Sequence, residues 1–359
     1  MGLFRLFLAT TVVIAHSSSI FGLTFIGGVA SVQIFFIISG FYMGLVLNEK
    51  YSKNNVRAFY INRFLKIFPM YLIVLIFITV LFLMSGLFFN NYIRLGDIDY
   101  AFTNFPIITL LYISASNLFL LFSDLSLFLG LNTDGNLFFT SDYKLSDFRV
   151  HKYLIIPQSW SLSIEIIFYV IAPFIARKNI KLIIFLILIS FSIRILIYYY
   201  FELKHDPWTY RFVVTEFAYF GIGILSYRLY KSCYENLNLE KKYVIIIFSV
   251  FTVYILLGYQ LLAYYNYGPI VKNGILFILT IFVIPLLFKC TKDSIIDYKI
   301  GELSYPIYII HLSLVQLFSL FLSKGTFSTL CILFTSVILS IPLIKIYNNT
   351  IVKYKSYNI

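Results

Sequence analysis

In a chain as apolar as this one, the side chains able to do chemistry within bilayer-length stretches form a short list: Arg5, His16, Glu165, Arg194, Glu216 and His311. Ionisable groups in hydrocarbon are costly and face a bundle interior or an aqueous cavity, which makes each a functional candidate. Arg5 and His16 stand 11 residues apart. At about 100° per residue that is about 1100°, about 20° from three whole turns, so on a helix they share a face about 16 Å apart along the axis. One stripe then offers a fixed cation at a membrane surface and an imidazole about two-thirds of the way across the hydrocarbon. A guanidinium matches phosphate. A neutral imidazole can take a proton from a hydroxyl.

A second cationic group lies in Arg63-Phe-Leu-Lys66-Ile-Phe-Pro69-Met-Tyr71. On a helix, Arg63 and Lys66 at i,i+3 project from one side and suit a polyanion such as a nucleotide phosphate. Glu165 follows Trp160-Ser-Leu-Ser-Ile, and His311 follows Ser304, Tyr305 and Tyr308 within two turns. Each has a plainer reading. Arg5, Arg63 and Lys66 can be membrane anchors, His16 and His311 helix-packing hydrogen bonds, and Glu165 an interfacial carboxylate. Arg194 and Glu216 have no motif around them; they can pair with each other and are left out of the site. Three cysteines, Cys233, Cys290 and Cys331, have no metal-ligand or redox spacing, so no metal is expected.

The elements that must position these groups follow from composition. Of 359 residues 60% are hydrophobic and only 12% charged, against about 25% charged in soluble domains. The bilayer is therefore the solvent, and the net charge of +12 reads as basic cytoplasmic loops, not as a nucleic-acid surface. The expected fold is all-α, a polytopic transmembrane bundle of about ten spans at 3–21, 27–47, 67–89, 161–176, 180–201, 212–230, 243–263, 270–288, 300–322 and 326–347. With both termini cytoplasmic, the inner segments hold 19 Lys and Arg and the outer ones 8, with Arg194 inside a span. An extra crossing at 105–122 would invert the later basic loops, and Pro106, Ser114, Ser116 and Asn117 interrupt that stretch. A re-entrant or interfacial helix is expected there, in a long extracytoplasmic loop over 90–160. The aspartates of that loop, Asp97, Asp99, Asp124, Asp134, Asp142 and Asp147, read as solvated surface. Residues 1–350 form one membrane domain and 351–359 a short basic cytoplasmic tail. His16 interrupts the first apolar stretch, which reads as a retained helix, not a cleaved signal.

Taken together, these segments resemble the acyltransferase-3 family of bacterial membrane acyltransferases. Arg5 and His16 carry its arginine–ten residues–histidine spacing, and Gln33-Ile-Phe-Phe-Ile-Ile-Ser39-Gly40-Phe41 is similar to its second-helix pattern. Arg63 to Tyr71 resembles its basic motif; Trp160 to Tyr169 and Ser304 to His311 resemble its later signatures. Leu6, Gln33, Lys66 and Ile166 depart from residues common in the family. Lys66 keeps the charge of the usual arginine but loses its planar fork.

The resemblance implies acyl transfer from cytoplasmic acyl-CoA, acetyl-CoA by family default, to a sugar hydroxyl of a cell-surface polysaccharide or its lipid-linked precursor. It implies a multi-pass protein of the bacterial inner membrane, with acyl-CoA and a carbohydrate or glycolipid as partners. No permanently bound cofactor is expected. His16 would be the general base and Glu165 its orienting group or a sugar ligand. Arg5, Arg63 and Lys66 would hold the CoA phosphates, with Trp160, Ser304, Tyr305 and His311 as substrate or structural support. The sequence sets no oligomeric state. The competing readings are a flippase for lipid-linked sugars, against which stand the basic motif and the lack of an internal repeat, and a membrane sensor or scaffold.

Overall fold

Every stretch read as a span contains a helix in the computed structural model, which describes residues 1–52, 55–237 and 240–355. In chain order the bundle runs α1 (Gly2–His16), α2 (Gly27–Glu49) and α3 (Val56–Phe89). A long connection holding α4 (Arg94–Asn104) and α5 (Ile107–Phe119) leads to α6 (Trp160–Ile175), α7 (Ile180–Tyr199) and α8 (Val213–Leu229). Next, α9 (Lys241–Val253) continues through a π-helical turn into α10 (Tyr259–Tyr264), followed by α11 (Pro269–Thr291), α12 (Ile295–Phe318) and α13 (Thr326–Lys355). Among the described residues, seven helices are long and apolar enough to cross a membrane. Of the ten expected, α1 and α8 fall short in length, and the hydropathy of α12 is diluted by Ser304, Tyr305, Tyr308 and His311.

Two boundaries differ from expectation. The first helix ends at His16 and does not run on to residue 21. The Ser17 hydroxyl turns back to the Val13 carbonyl at 2.5 Å, and Phe21, Gly22, Phe25 and Gly27 take positive φ, so 17–26 is a loop. His16 is thus the last residue of α1 and not a mid-helix one. At the other end, α13 continues to Lys355, so most of the expected tail 351–359 is helical, and 356–359 lie outside the described residues.

The centre of the bundle is α2, buried on most of its circumference. It crosses α8 where Gly40 meets Gly223. A Cβ on Gly40 would sit 2.0 Å from the Phe220 carbonyl oxygen, and one on Gly223 2.0 Å from that of Ile37. Only two glycines let these backbones approach so closely. Another helix, α12, packs along α1, and its Asp297 carboxylate accepts from the backbone N–H groups of Gly2 and Leu3 at 2.6 and 2.9 Å, closing the open N-terminal turn of α1.

The connection over 90–160 has a small core of its own, built from Ala101, Phe105, Ile113, Leu131, Val150 and Tyr153. At 13 residues, α5 spans about 20 Å, too short for a hydrocarbon core of about 30 Å. Asn117 ends it as a span. Its amide donates to the Tyr153 carbonyl at 2.9 Å, its side-chain oxygen accepts from Ile155 N–H at 2.8 Å, and its carbonyl accepts from the Tyr71 hydroxyl at 2.5 Å. A three-stranded antiparallel sheet, order β2-β1-β3 with β1 (Leu129–Leu131), β2 (Leu137–Phe139) and β3 (Phe148–Arg149), is an element the all-α reading did not include. Asp124 is not solvated surface: it is buried and accepts from the Ser163 hydroxyl at 2.7 Å, tying the connection to α6.

Candidate active site

Six of the residues expected at the site line one cavity of about 640 Å³, which Met1 also lines, a volume within the range of small-molecule sites. Arg5 of α1, Arg63 and Lys66 of α3, Glu165 of α6 and Ser304 and Tyr305 of α12 all line it. The Arg63 guanidinium lies over the rings of Phe59 and Tyr169, at 5.8 and 5.7 Å, and its buried Nε meets no hydrogen-bond acceptor among the described residues. Arg5 likewise forms no ion pair among the described residues. A buried donor left without a partner is costly, and two guanidinium groups that pair with no carboxylate among the described residues, in a cavity also lined by Glu165, Asp297 and Glu302, mark a place for an anionic ligand. The Lys66 ammonium stands 6.0 Å from the Tyr42 ring centroid.

Glu165 does not reach His16. Its Oε1 accepts from the Ser39 hydroxyl at 2.6 Å and from the Tyr169 hydroxyl at 2.5 Å, which fixes the carboxylate in the wall of the cavity. Ser304 donates to the Gly301 carbonyl at 2.7 Å and Tyr305 to the Ile67 carbonyl at 2.9 Å, so both hold α12 as they line the cavity. Ser161 and Tyr308 also line the cavity, their hydroxyls 2.6 Å apart.

His16 does not line the cavity, and its partner is His311. The ring centroids are 5.0 Å apart, with His311 Nε2 at 3.3 Å from His16 Nδ1. Two carbonyls decide the tautomers. His16 Nδ1 is also 2.9 Å from the Val12 oxygen, which can only accept, so Nδ1 carries the proton. His311 Nδ1 is 2.6 Å from the Tyr308 oxygen and for the same reason is protonated. His311 Nε2 is then a lone pair that accepts from His16 Nδ1–H. His16 Nε2 is left as a lone pair with no partner among the described residues, on an exposed residue at the end of α1. His311 is fully buried. An imidazole oriented through Nδ1 with a free Nε2 has the form of a general base or nucleophile.

Trp160 sits apart from the cavity, its indole packed against Tyr210 and the Arg211 guanidinium at 5.6 and 4.4 Å. Arg194 and Glu216 do pair, at 2.6 Å, with Glu216 fully buried and also accepting from Gln33 at 3.3 Å. They link α7, α8 and α2 away from the cavity. Sequence reasoning missed Ser161 and Arg211. Ser161 lay unnoticed inside a quoted segment, and Arg211 carried no signal beyond being one of the outer-loop cations. No group of His, Cys, Asp and Glu able to hold a metal occurs among the described residues.

The model of the acyltransferase domain family matches residues 1–83 and 78–345. No curated protein and no solved structure matches the chain.

Proposed function

The chain belongs to the acyltransferase-3 family of membrane acyltransferases, and from that premise we propose that it moves an acyl group, acetyl by family default, from cytoplasmic acyl-CoA to a sugar hydroxyl of a cell-surface polysaccharide or its lipid-linked precursor. The Met1 side of the bundle is then cytoplasmic, as the basic loops require. The observation that carries the reading is that α1 joins both halves of the chemistry. Arg5 lines the anion-ready cavity, and His16, about 16 Å further along the same helix, presents a free Nε2 outside its lining. Arg5, Arg63 and Lys66 hold the CoA phosphates, and the pantetheine arm extends towards Ser161 and Tyr308.

In direct transfer, Nε2 takes the proton of the sugar hydroxyl as its oxygen attacks the thioester carbonyl. The C–S bond breaks, and the CoA thiolate receives the proton from the imidazolium. In the covalent route, Nε2 attacks first and the C–S bond breaks to give the acyl-imidazole and the CoA thiolate; the sugar oxygen then takes the acyl group while its proton passes to the thiolate. Both use the same lone pair. Glu165, held by Ser39 and Tyr169, accepts from the donor's amide N–H groups and does not orient the base; that task falls to His311.

The test is mass spectrometry of cell-surface polysaccharide from cells with and without the gene, complemented by wild type or His16→Ala. An O-linked acyl mass lost on deletion and restored only by wild type is expected. Restoration by His16→Ala would refute the role of His16. An unchanged acyl pattern with less surface sugar, and no thioester consumed by the purified protein, would favour the flippase.

A further inference from the structure

Outside the lining of the cavity, a guanidinium is held in a way that no part of the donor chemistry uses. Arg211 sits in the corner formed by Trp160 and Tyr210, its Cζ 4.4 and 4.6 Å from their ring centroids. Asp206 takes its Nε at 2.7 Å, and its NH2 donates to the Tyr210 hydroxyl. NH1 has no partner among the described residues. The side chain is 14% exposed, so it is enclosed without being sealed. Trp160, against which it packs, directly precedes Ser161, whose hydroxyl meets that of Tyr308 at 2.6 Å, one turn before the His311 that holds His16.

Arg211 is ion-paired with Asp206, while the charged groups around the neighbouring His151 are cationic. His151 is pushed down to about 3, first by burial and then by Arg94, Arg211, Arg149 and Lys152, so it is a neutral imidazole whose strongest charged neighbours are all positive. Arg94 is itself fixed, donating to Gln316 at 3.0 Å and to the carbonyls of His151, Lys152 and Leu154 at 2.9, 3.1 and 3.1 Å. A guanidinium clamped by two rings and one carboxylate, with one nitrogen left open, is ordered before any ligand arrives, which cuts the entropy of binding an anion.

We infer that Arg211 anchors an acidic group of the acceptor sugar, a carboxylate or a phosphate, and so makes this transferase selective for an anionic saccharide presented to His16. The inference rests on the reading of His16 as the transfer centre, but binding at Arg211 needs neither donor nor turnover. The selectivity would come from a fixed cation meeting a fixed anion, in a site where a neutral sugar leaves NH1 without an acceptor.

The chain has two tryptophans, Trp160 and Trp208, so Trp208→Phe leaves the indole under Arg211 as the one reporter. In nanodiscs, this full-length variant is titrated with glucuronate, glucose 6-phosphate, glucose and sodium sulfate while Trp160 emission is followed. A saturable change with glucuronate or with glucose 6-phosphate, at least about tenfold tighter than with glucose, is expected, and the stronger of the two names the acidic group. Adding Arg211→Gln should abolish the change and Arg211→Lys restore part of it. Equal responses to glucose and the acids, no response to either acid, or a curve unmoved by Arg211→Gln would overturn the inference. A sulfate response equal to the sugar acids would reduce the site to an adventitious ion only and overturn the sugar assignment. Loss of thioester consumption with the titration intact would instead count against the transferase reading.

Discussion

Replacing His311 separates orientation of the base from the chemistry itself. His311→Phe keeps a ring of similar size in a fully buried position but removes the lone pair that accepts from His16 Nδ1–H at 3.3 Å. The bond is neutral and long, worth about 1 kcal/mol, or about fivefold in rate, if it only lowers the energy of the correct orientation. His16 keeps its 2.9 Å bond to the Val12 carbonyl, so the tautomer survives and only the ring angle is freed. A ring displaced by about 1 Å can cost about 100-fold. The expected loss in kcat therefore lies between about 5-fold and about 100-fold, with the KM for acyl-CoA unchanged, because His311 does not line the cavity. His311→Gln, whose amide oxygen can accept from Nδ1–H, should recover part of the loss. The assay is thiol release from acyl-CoA by purified protein, with the unfolding midpoint as a control. Full activity in His311→Phe would show that the pair does not position the base. A loss equal to that of His16→Ala, in a protein with an unchanged midpoint, would show that His311 acts on substrate and is no mere positioning residue.

Two further outcomes follow from the packing. Arg63→Ala removes a guanidinium whose Nε has no protein acceptor; a charge-assisted contact of about 1.5–3 kcal/mol predicts a KM for acyl-CoA raised by about 10-fold to 150-fold at near-constant kcat, and an unchanged KM would remove Arg63 from the donor site. Arg194→Met leaves the Glu216 carboxylate buried without its 2.6 Å partner. That should destabilise by about 3–5 kcal/mol, while Arg194→Met with Glu216→Leu recovers much of the loss; equal midpoints for the single and double variants would refute the coupling.

The helices were legible in the sequence because a bilayer leaves few solutions: apolar runs of sufficient length must hydrogen-bond internally. The interruption at Asn117 was legible as polarity, although its three hydrogen bonds were not. The early end of α1 was hidden, because it depends on a serine hydroxyl turning back and on positive-φ residues that no apolar count registers. At the site, the 11-residue spacing placed Arg5 and His16 on one helix, and the i,i+3 spacing placed Arg63 beside Lys66; both are facts of a single helix. What joined the helices was not legible. That His311, and not Glu165, would meet His16 depends on how α12 lies along α1, 295 residues away in sequence. Arg211 lay in a loop whose position against Trp160 is set by Asp206 and Tyr210, which periodicity does not describe.

On the proposed reaction, the arrangement places one requirement on the transfer. His16 does not line the donor cavity, whereas Ser161 and Tyr308 do, so the contact between these two is expected to open for a thioester to reach Nε2. The barrier is thin. It consists of a 2.6 Å hydroxyl pair, worth about 1 kcal/mol, and the edge of Phe35 against Tyr308, with ring centroids 6.2 Å apart. A donor engaged by two guanidinium groups has more binding energy than that to spend. Opening need not disturb the base. His311 is held by the backbone carbonyl of Tyr308 and not by its ring, so the phenol can rotate about χ1 while the carbonyl, and the histidine pair it orients, stay in place. With the ring closed, water at His16 is kept from the thioester until a donor arrives. The same residue thus serves as seal through its side chain and as anchor of the base through its main chain, which accounts for a tyrosine one turn before the histidine on α12.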